Sequence, residues 1–137
     1  MVCDHQVSVD LSTSSGVAPA DDIADPPRDT LAERLEGKSL HAPHLIDVEF
    51  LHVMRRMVAC GQLAPARAVV VRADFSGLRI TRYPHALLLD RMWELRDNLI
   101  ACDASFVALA EALDAPLVTT DARLAASPGH RATIEAY

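Results

Sequence analysis

The sequence predicts an α/β domain built on a mostly parallel sheet. Segments with helical spacing alternate along the chain with short apolar segments typical of strands, the pattern of strand–helix–strand units. The chain has 137 residues, half of them hydrophobic and only 4% aromatic, so one core built from Ala, Val and Leu is expected. Residues 103–113 are apolar on nearly all sides, which predicts a helix buried between neighbours.

The first part of the chain is predicted to contain a strand, a loop and two helices. Residues 2–11 open as a strand, and residues 12–30, rich in Ser, Asp and Pro, are predicted to form a loop or mobile segment. A short helix over 31–35 follows. After a brief extended piece, Pro43 is placed at the first position of a helix that ends near Cys60.

The rest of the chain continues the alternation of helices and strands. The predicted elements are a helix over 64–76, a strand over 78–83, a helix from Pro84 to about Asp97, the buried helix over 103–113, a strand at PLVTT, a short helix over 122–126 and a last strand at ATIEAY. All 137 residues are therefore expected to form one domain.

Composition and charge argue against several classes of protein. No run of about 18 uncharged apolar residues is present, so no membrane span is expected, and the acidic N-terminus lacks the basic region of a signal peptide. Cys3, Cys60 and Cys102 lie too far apart for a disulfide framework or a metal-binding pair, which predicts a reduced, cytoplasmic protein. The net charge of −6 argues against broad, non-specific binding of nucleic acid.

Four acidic residues stand where a parallel sheet would carry its active site. In such sheets the crevice beyond the carboxyl ends of the strands binds the ligand. Asp4 is expected at the end of the first strand and Asp121 at the end of PLVTT, and Asp103 opens the buried helix that precedes PLVTT. Glu49 lies among apolar residues in the helix LIDVEFLHVMRR.

Each acid alone has a simpler structural explanation. Asp103 and Asp121 are suited to capping the helices that they precede, and Glu49 is suited to pairing with His52 or Arg56 on a solvated helix face. These explanations do not predict that all four acids meet at one end of one sheet. Gathered carboxylates repel one another unless a cation compensates them, and oxygen ligands select Mg²⁺ or Mn²⁺. The acids therefore predict a metal-dependent hydrolase of phosphodiesters.

Three stretches of the chain resemble PIN-domain ribonucleases, and more narrowly the VapC toxins of bacterial toxin–antitoxin pairs. The resemblance lies in WELRDNLIACDASFVALAEALDAPLVTTDARLAASPGH, in SLHAPHLIDVEFLHVMRRMV and, more weakly, in the opening VCDHQVSVDL. It implies a PIN-like three-layer sandwich, with helices on both sides of a central, mostly parallel sheet.

The resemblance also implies an activity, a cofactor and partners. VapC toxins are Mg²⁺- or Mn²⁺-dependent endoribonucleases that cut RNA and inhibit translation and growth; they usually form homodimers and are silenced by a VapB antitoxin. The catalytic and metal-binding acids of the family fall on Asp4, Glu49, Asp103 and Asp121. Thr119, Arg96 and Asn98 match positions that support the site, although Arg96 is equally suited to be an ordinary surface residue at a helix end.

One departure from the family pattern leaves a second function open. A small residue and then Ser or Thr usually follow the first Asp of the family, whereas His5 and Gln6 follow Asp4. Gln6 cannot replace a hydroxyl beside a metal ion. The alternative is therefore a catalytically weakened PIN-like domain that mainly binds an antitoxin.

Other candidate residues carry weaker signals. His41, His44 and His52 suggest zinc, but their spacing crosses from a strand into a helix, and satisfied or surface histidines are the more common case. Trp93 and Phe106 are expected in the core or at a dimer interface. Candidate RNA contacts are Arg55, Arg56, Arg82 and Arg123.

Overall fold

The structure, a computed structural model, describes the backbone of residues 8–10 and all of residues 35–137. Within these ranges the elements are β1 (Ser8–Asp10), β2 (Leu40–Pro43), α1 (Leu45–Ala59), α2 (Pro65–Gly77), β3 (Ile80–Tyr83), a 3₁₀ turn (His85–Leu87), α3 (Leu89–Glu94), α4 (Ala101–Ala112), β4 (Leu117–Thr119), α5 (Ala122–Ala125) and β5 (Ile134–Ala136). The predicted loop over 12–30 and most of the predicted helix over 31–35 lie outside the described residues. None of the described helices is long and apolar enough to cross a membrane.

The described strands form a three-stranded sheet and a two-stranded sheet, and both are parallel, as the alternating pattern predicts. β4 lies between β1 and β5 and pairs with both in parallel, and β2 pairs with β3 in parallel. The last residue of β1, Asp10, is the Cα partner of Thr119, which in turn is the partner of Ala136. The carboxyl ends of β1, β4 and β5 therefore form one edge. The α/β fold class is confirmed.

Helix α4 forms the centre of the core. Residues 104–110 are all buried, including Phe106 with no exposed surface, which confirms the prediction of a helix surrounded by neighbours. Leu117 and Val118 of β4 belong to the same buried cluster. Because only residues 113–116 connect α4 to β4, the helix runs back along the sheet and its first turn lies near the carboxyl edge of the strands.

Pro43 is placed differently from the prediction, whereas Trp93 lies on the surface, which leaves the dimer interface as its predicted location. Pro43 ends β2 opposite Tyr83 instead of starting the next helix, because the parallel pairing with β3 keeps it extended; α1 begins at Leu45. Proline is tolerated there because it needs no ladder hydrogen bond at the end of a strand. Trp93 is 69% exposed on α3 and does not belong to the core.

An ion pair between Arg82 and Asp47 joins β3 to the first turn of α1. The Arg82 Nε donates to both carboxylate oxygens of Asp47, at 2.9 and 2.8 Å, and Nη2 donates to Oδ1 at 2.7 Å. Phe50 of α1 also stacks on Phe75 of α2, with ring centroids 3.8 Å apart. Arg82, a candidate RNA contact, is thus used to hold α1, the helix that carries Glu49.

A second ion-pair network holds the chain after α5 against α3 and α4. Glu111 of α4, whose side chain is 6% exposed, accepts hydrogen bonds from Arg91 Nε at 2.6 Å and from the Arg131 backbone N–H at 2.6 Å. Arg91 also donates to the carbonyl of Gly129 at 3.0 Å and to the exposed Glu94 at 2.8 Å. Burial alone would raise the pKa of Glu111, but the hydrogen bonds from Arg91 and Arg131 outweigh it and lower that pKa.

Glu111→Gln is expected to lower the free energy of unfolding by about 2–3 kcal/mol, because it leaves the Arg91 guanidinium beside a neutral partner in a largely buried position. Urea denaturation at neutral pH measures the change. Glu94→Gln is the matched control: Glu94 binds the same arginine but is 63% exposed, so its loss should cost at most about 0.5 kcal/mol. Equal effects of the two substitutions would contradict this account of the network.

Candidate active site

Asp103 and Asp121 belong to elements that begin at the carboxyl edge of the three-stranded sheet, and Glu49 belongs to the helix that follows the two-stranded sheet. Asp121 follows β4 by two residues, and Asp103 is the third residue of α4, whose first turn lies at that edge. Glu49 is the fifth residue of α1, the helix that directly follows β2. The acid at the end of the first strand is Asp10, opposite Thr119 in the register.

Asp4, the acid predicted at the end of the first strand, lies outside the described residues. The strand that pairs with β4 is Ser8–Asp10, so the strand end falls six positions later than predicted. The opening VCDHQVSVDL contains two β-like pieces, each ending in Asp. The alternation of Val7, Ser8 and Val9 before Asp10 is the sequence signal for the second piece.

Asp121 is held by its own helix and by an arginine two residues on. It is the N-cap of α5, and its Oδ1 accepts the Arg123 backbone N–H at 2.9 Å. The Arg123 side chain donates to both oxygens, from Nε to Oδ1 at 3.1 Å and from Nη2 to Oδ2 at 2.9 Å. The Arg123 hydrogen bond holds the pKa of Asp121 below its usual value, against a smaller opposing effect of burial. The carboxylate of Asp121 therefore stays ionised at neutral pH.

Thr119 fixes the turn between β4 and Asp121. The residue is 1% exposed, and its Oγ1 accepts the backbone N–H of Asp121 at 3.0 Å. The Thr119 carbonyl accepts the backbone N–H of Tyr137, which ties the same turn to the end of β5. Thr119 thus acts on the candidate site through the backbone of Asp121.

Asp103 lies in the first turn of α4 and does not cap that helix. The N-cap is Ile100, with an extended backbone and no side-chain hydrogen bond. The Asp121 carboxylate raises the pKa of Arg123, mainly by hydrogen bonding, and the charge of Asp103 adds a smaller effect in the same direction. Asp103 and Asp121 therefore act electrostatically on one guanidinium.

Glu49 is half-buried in α1, and its Oε2 is shielded from solvent. Glu49 was predicted to lie among apolar residues, but the neighbouring Val48 is exposed. The apolar residues next to Glu49 in the sequence therefore do not all pack in the core. A carboxylate with one oxygen sheltered in this way belongs to the oxygen-donor class that hard cations prefer.

The described residues do not complete a metal site by themselves. Over residues 35–137, no group of three or more His, Cys, Asp or Glu side chains is arranged to hold a metal ion. The structure therefore does not bring Glu49, Asp103 and Asp121 together as one group of ligands within this range, and the backbone of Asp10 ends β1 at the edge where β4 leads to Asp121. The preference for satisfied histidines over a zinc site agrees with His41, whose Nδ1 lies 2.8 Å from the hydroxyl of Tyr83.

Arg96 and Asn98, which were expected to support the site, contact residues other than Glu49, Asp103 and Asp121 in the described structure. Arg96 donates to the carbonyl of Trp93 at 2.9 Å, and its guanidinium lies 4.9 Å from the centre of the Trp93 ring. The side chain of Asn98 packs so closely on Gly129 that a Cβ there would come within 2.7 Å of the Asn98 Nδ2. Gly129 also has φ of +89°, so both its backbone and its neighbour favour glycine.

Thr119→Val should lower the free energy of unfolding by about 1–2 kcal/mol, because it leaves the Asp121 backbone N–H without its acceptor at nearly unchanged side-chain volume. Thr120→Val is the matched control, since Thr120 is exposed and precedes Asp121 directly. Thermal and urea unfolding of the two variants measure the difference. The role assigned to the Thr119 hydroxyl would be wrong if both substitutions left stability equally unchanged.

Comparison with known proteins identifies the family. The family model for the PIN domain matches residues 22–129, a range that contains Glu49, Asp103 and Asp121. Ribonuclease VapC12 of Mycobacterium tuberculosis is 39% identical over 105 residues, which are 77% of this chain and 81% of the relative. VapC ribonuclease Mb0985 of Mycobacterium bovis is 44% identical over 90 residues, 66% of this chain and 71% of the relative.

Ribonuclease VapC1 of Mycobacterium tuberculosis is also 44% identical over 90 residues, 65% of this chain and 68% of the relative. The resemblance inferred from the sequence is thus confirmed. The family match and the parallel α/β architecture agree, and the chain belongs to the PIN domain family.

Proposed function

We propose that this chain is a divalent-metal-dependent endoribonuclease, the toxin of a toxin–antitoxin pair, which cleaves cytoplasmic RNA and so inhibits translation and growth. The relatives that it resembles are named as VapC ribonucleases. The observation that carries the proposal is the position of Asp103 and Asp121 on elements that meet at the carboxyl edge of the three-stranded sheet, because the crevice beyond this edge binds the ligand in parallel α/β sheets.

Asp10 is the first-strand acid of the proposed metal site, together with Glu49, Asp103 and Asp121. The strand register supports Asp10 over Asp4, because β1 ends at Asp10 opposite Thr119, two residues before Asp121. The alternative of a weakened enzyme was based on His5 and Gln6, which follow Asp4. With Asp10 as the first acid, these two residues no longer follow the acid of the site, and the argument for weakened activity loses its basis. Ser12 stands two residues after Asp10, where the family usually has Ser or Thr.

The donor chemistry fits Mg²⁺ or Mn²⁺ rather than zinc, because the candidate ligands are carboxylate oxygens. When bound, such an ion supplies a Lewis acid for hydrolysis of a phosphodiester. The residues of the chain prepare the site: Thr119 positions the backbone of Asp121, and Arg123 keeps the Asp121 carboxylate ionised. The ion pair of Asp47 with Arg82 holds the helix that presents Glu49.

Asp10→Asn and Asp103→Asn should each lower RNA cleavage in Mg²⁺ or Mn²⁺ on the order of 100-fold, the usual effect of removing one electrostatic group from an active site. Asp4→Asn and Asp74→Asn are matched controls that should keep near-normal activity; Asp74 is exposed on α2. Cleavage of a structured RNA is followed on gels, and circular dichroism checks that each variant is folded.

Two outcomes would contradict parts of this proposal. Loss of cleavage in Asp4→Asn but not in Asp10→Asn would return the first-strand acid to Asp4. A folded wild-type protein that cleaves no RNA with either metal would contradict the enzyme and favour the alternative, a weakened domain that mainly binds an antitoxin.

We further propose a homodimer and a VapB-type antitoxin as partners. Two exposed apolar surfaces support this proposal, since large apolar side chains grouped on a surface commonly mark a binding site. The first, the α3 patch, consists of the exposed side chains of Leu87, Leu89 and Trp93, and such large apolar side chains suit an isologous contact with a second copy. The second, the α1–α2 groove, is concave and suits an apolar segment of an antitoxin. The groove is lined by Leu51, Met54, Val58, Ala68 and Val69 and flanked by Arg55 and Arg72.

Leu89→Arg combined with Trp93→Arg should convert the dimer to a monomer, because two desolvated charges would face each other across the symmetric contact. Size-exclusion chromatography with light scattering measures the mass. Val69→Arg in the α1–α2 groove is the control and should leave the dimer intact. A wild-type monomer, or a dimer that survives the double substitution, would contradict the α3 patch as the dimer interface.

A further inference from the structure

We propose that Arg123 is a built-in counter-ion of the metal site: its guanidinium holds the Asp121 carboxylate until a divalent cation displaces it, so that Arg123 limits the affinity for the metal. This inference rests on the proposed function. It assigns a role to a side chain that the sequence presented only as a candidate RNA contact.

Arg123 occupies the carboxylate oxygens of Asp121 that a metal ion would also use, so it would compete with the metal ion for them. Its fork binds both oxygens of Asp121, at 3.1 Å from Nε and 2.9 Å from Nη2. A divalent cation that took Asp121 as a ligand would use the same oxygens. The carboxylate cannot serve a bidentate guanidinium and a metal ion fully at the same time, so the two cations exclude each other at least in part.

Displacement of Arg123 would leave the fold undisturbed. The side chain of Arg123 is 71% exposed, whereas that of Asp121 is only 17% exposed, so the guanidinium can turn into solvent while the carboxylate stays in place. The Arg123 backbone N–H still donates to Asp121 Oδ1 and keeps the helix cap. Thr119 holds the backbone of Asp121 independently of the Arg123 side chain.

The charges near Arg123 suit a counter-ion. Asp121 stabilises the charged form of Arg123 mainly by hydrogen bonding, and the charge of Asp103 adds a smaller effect in the same direction. Arginine remains protonated at every physiological pH, so this compensation cannot be switched off by titration. It ends only when a cation of higher charge replaces the guanidinium.

Arg123→Gln should bind Mn²⁺ about 2- to 5-fold more tightly than the wild type, the factor expected from loss of one exposed competing ion pair. Isothermal titration of the full chain with Mn²⁺, without RNA, measures the affinity. Arg123→Lys, which keeps the charge but not the fork, should lie between the two. Arg67→Gln, which removes an exposed arginine from α2, is the matched control and should bind like the wild type.

A second readout is the Mn²⁺-induced rise in melting temperature, which should be larger in Arg123→Gln than in the wild type because tighter binding of Mn²⁺ to the folded state stabilises it more. Equal or weaker Mn²⁺ binding by Arg123→Gln, with normal binding by the wild type, would overturn the competition and leave the metal site standing. Absence of Mn²⁺ binding in every variant would overturn the metal site itself and this inference with it.

Discussion

Strand β4 is buried over all three of its residues and hydrogen-bonded to a parallel strand on each side, and the positions of the candidate acids follow from it. Because its neighbours run in the same direction, β1 delivers Asp10 to the edge where β4 delivers the turn that carries Asp121. The short connection from α4 to β4 brings the first turn of α4, with Asp103, to that edge as well. A parallel sheet thus gathers residues that are far apart in the sequence.

Helix α4 carries two acids whose surroundings differ sharply. Glu111, near its last turn, is nearly buried and receives hydrogen bonds from Arg91 and from the backbone of Arg131. These hydrogen bonds tie α4 to α3 and to the chain after α5, so Glu111 serves the fold. Asp103, in the first turn, acts by its charge on Arg123, whose side chain is largely exposed and pairs with Asp121. The arginine beside Glu111 is thus held between several elements, whereas the arginine near Asp103 and Asp121 extends into solvent.

The sequence predicted the parts of the fold and of the site that depend on local patterns. The apolar stretch over 103–113 predicted the buried helix, and the apolar run ending at Thr119 predicted the strand that leads to Asp121. These local features placed Asp103 and Asp121 on the correct elements. The hydroxyl predicted to support the site, that of Thr119, does contact the backbone of Asp121.

Features that depend on long-range pairing could not be predicted in this way. Two β-like pieces of VCDHQVSVDL end in Asp, and only the pairing of Ser8–Asp10 with β4 distinguishes them. Pro43 likewise suits the first position of a helix in its local sequence, but its pairing with Tyr83 makes it the last residue of strand β2. The partners of Arg82 and Arg91 lie on other elements, which no local pattern reveals. Arg123 is the exception, because its partner is two residues away and a charged pair around an N-cap is visible in the sequence.

The most direct test of the central claim is anomalous diffraction from crystals of the protein soaked in Mn²⁺. One Mn²⁺ peak is expected at the carboxyl edge of the sheet, held by the proposed acids Asp10, Glu49, Asp103 and Asp121, with the Arg123 guanidinium withdrawn from Asp121. A peak that excludes Asp103 and Asp121, or an intact Arg123–Asp121 ion pair with no Mn²⁺ at this edge in saturating metal, would contradict the central claim.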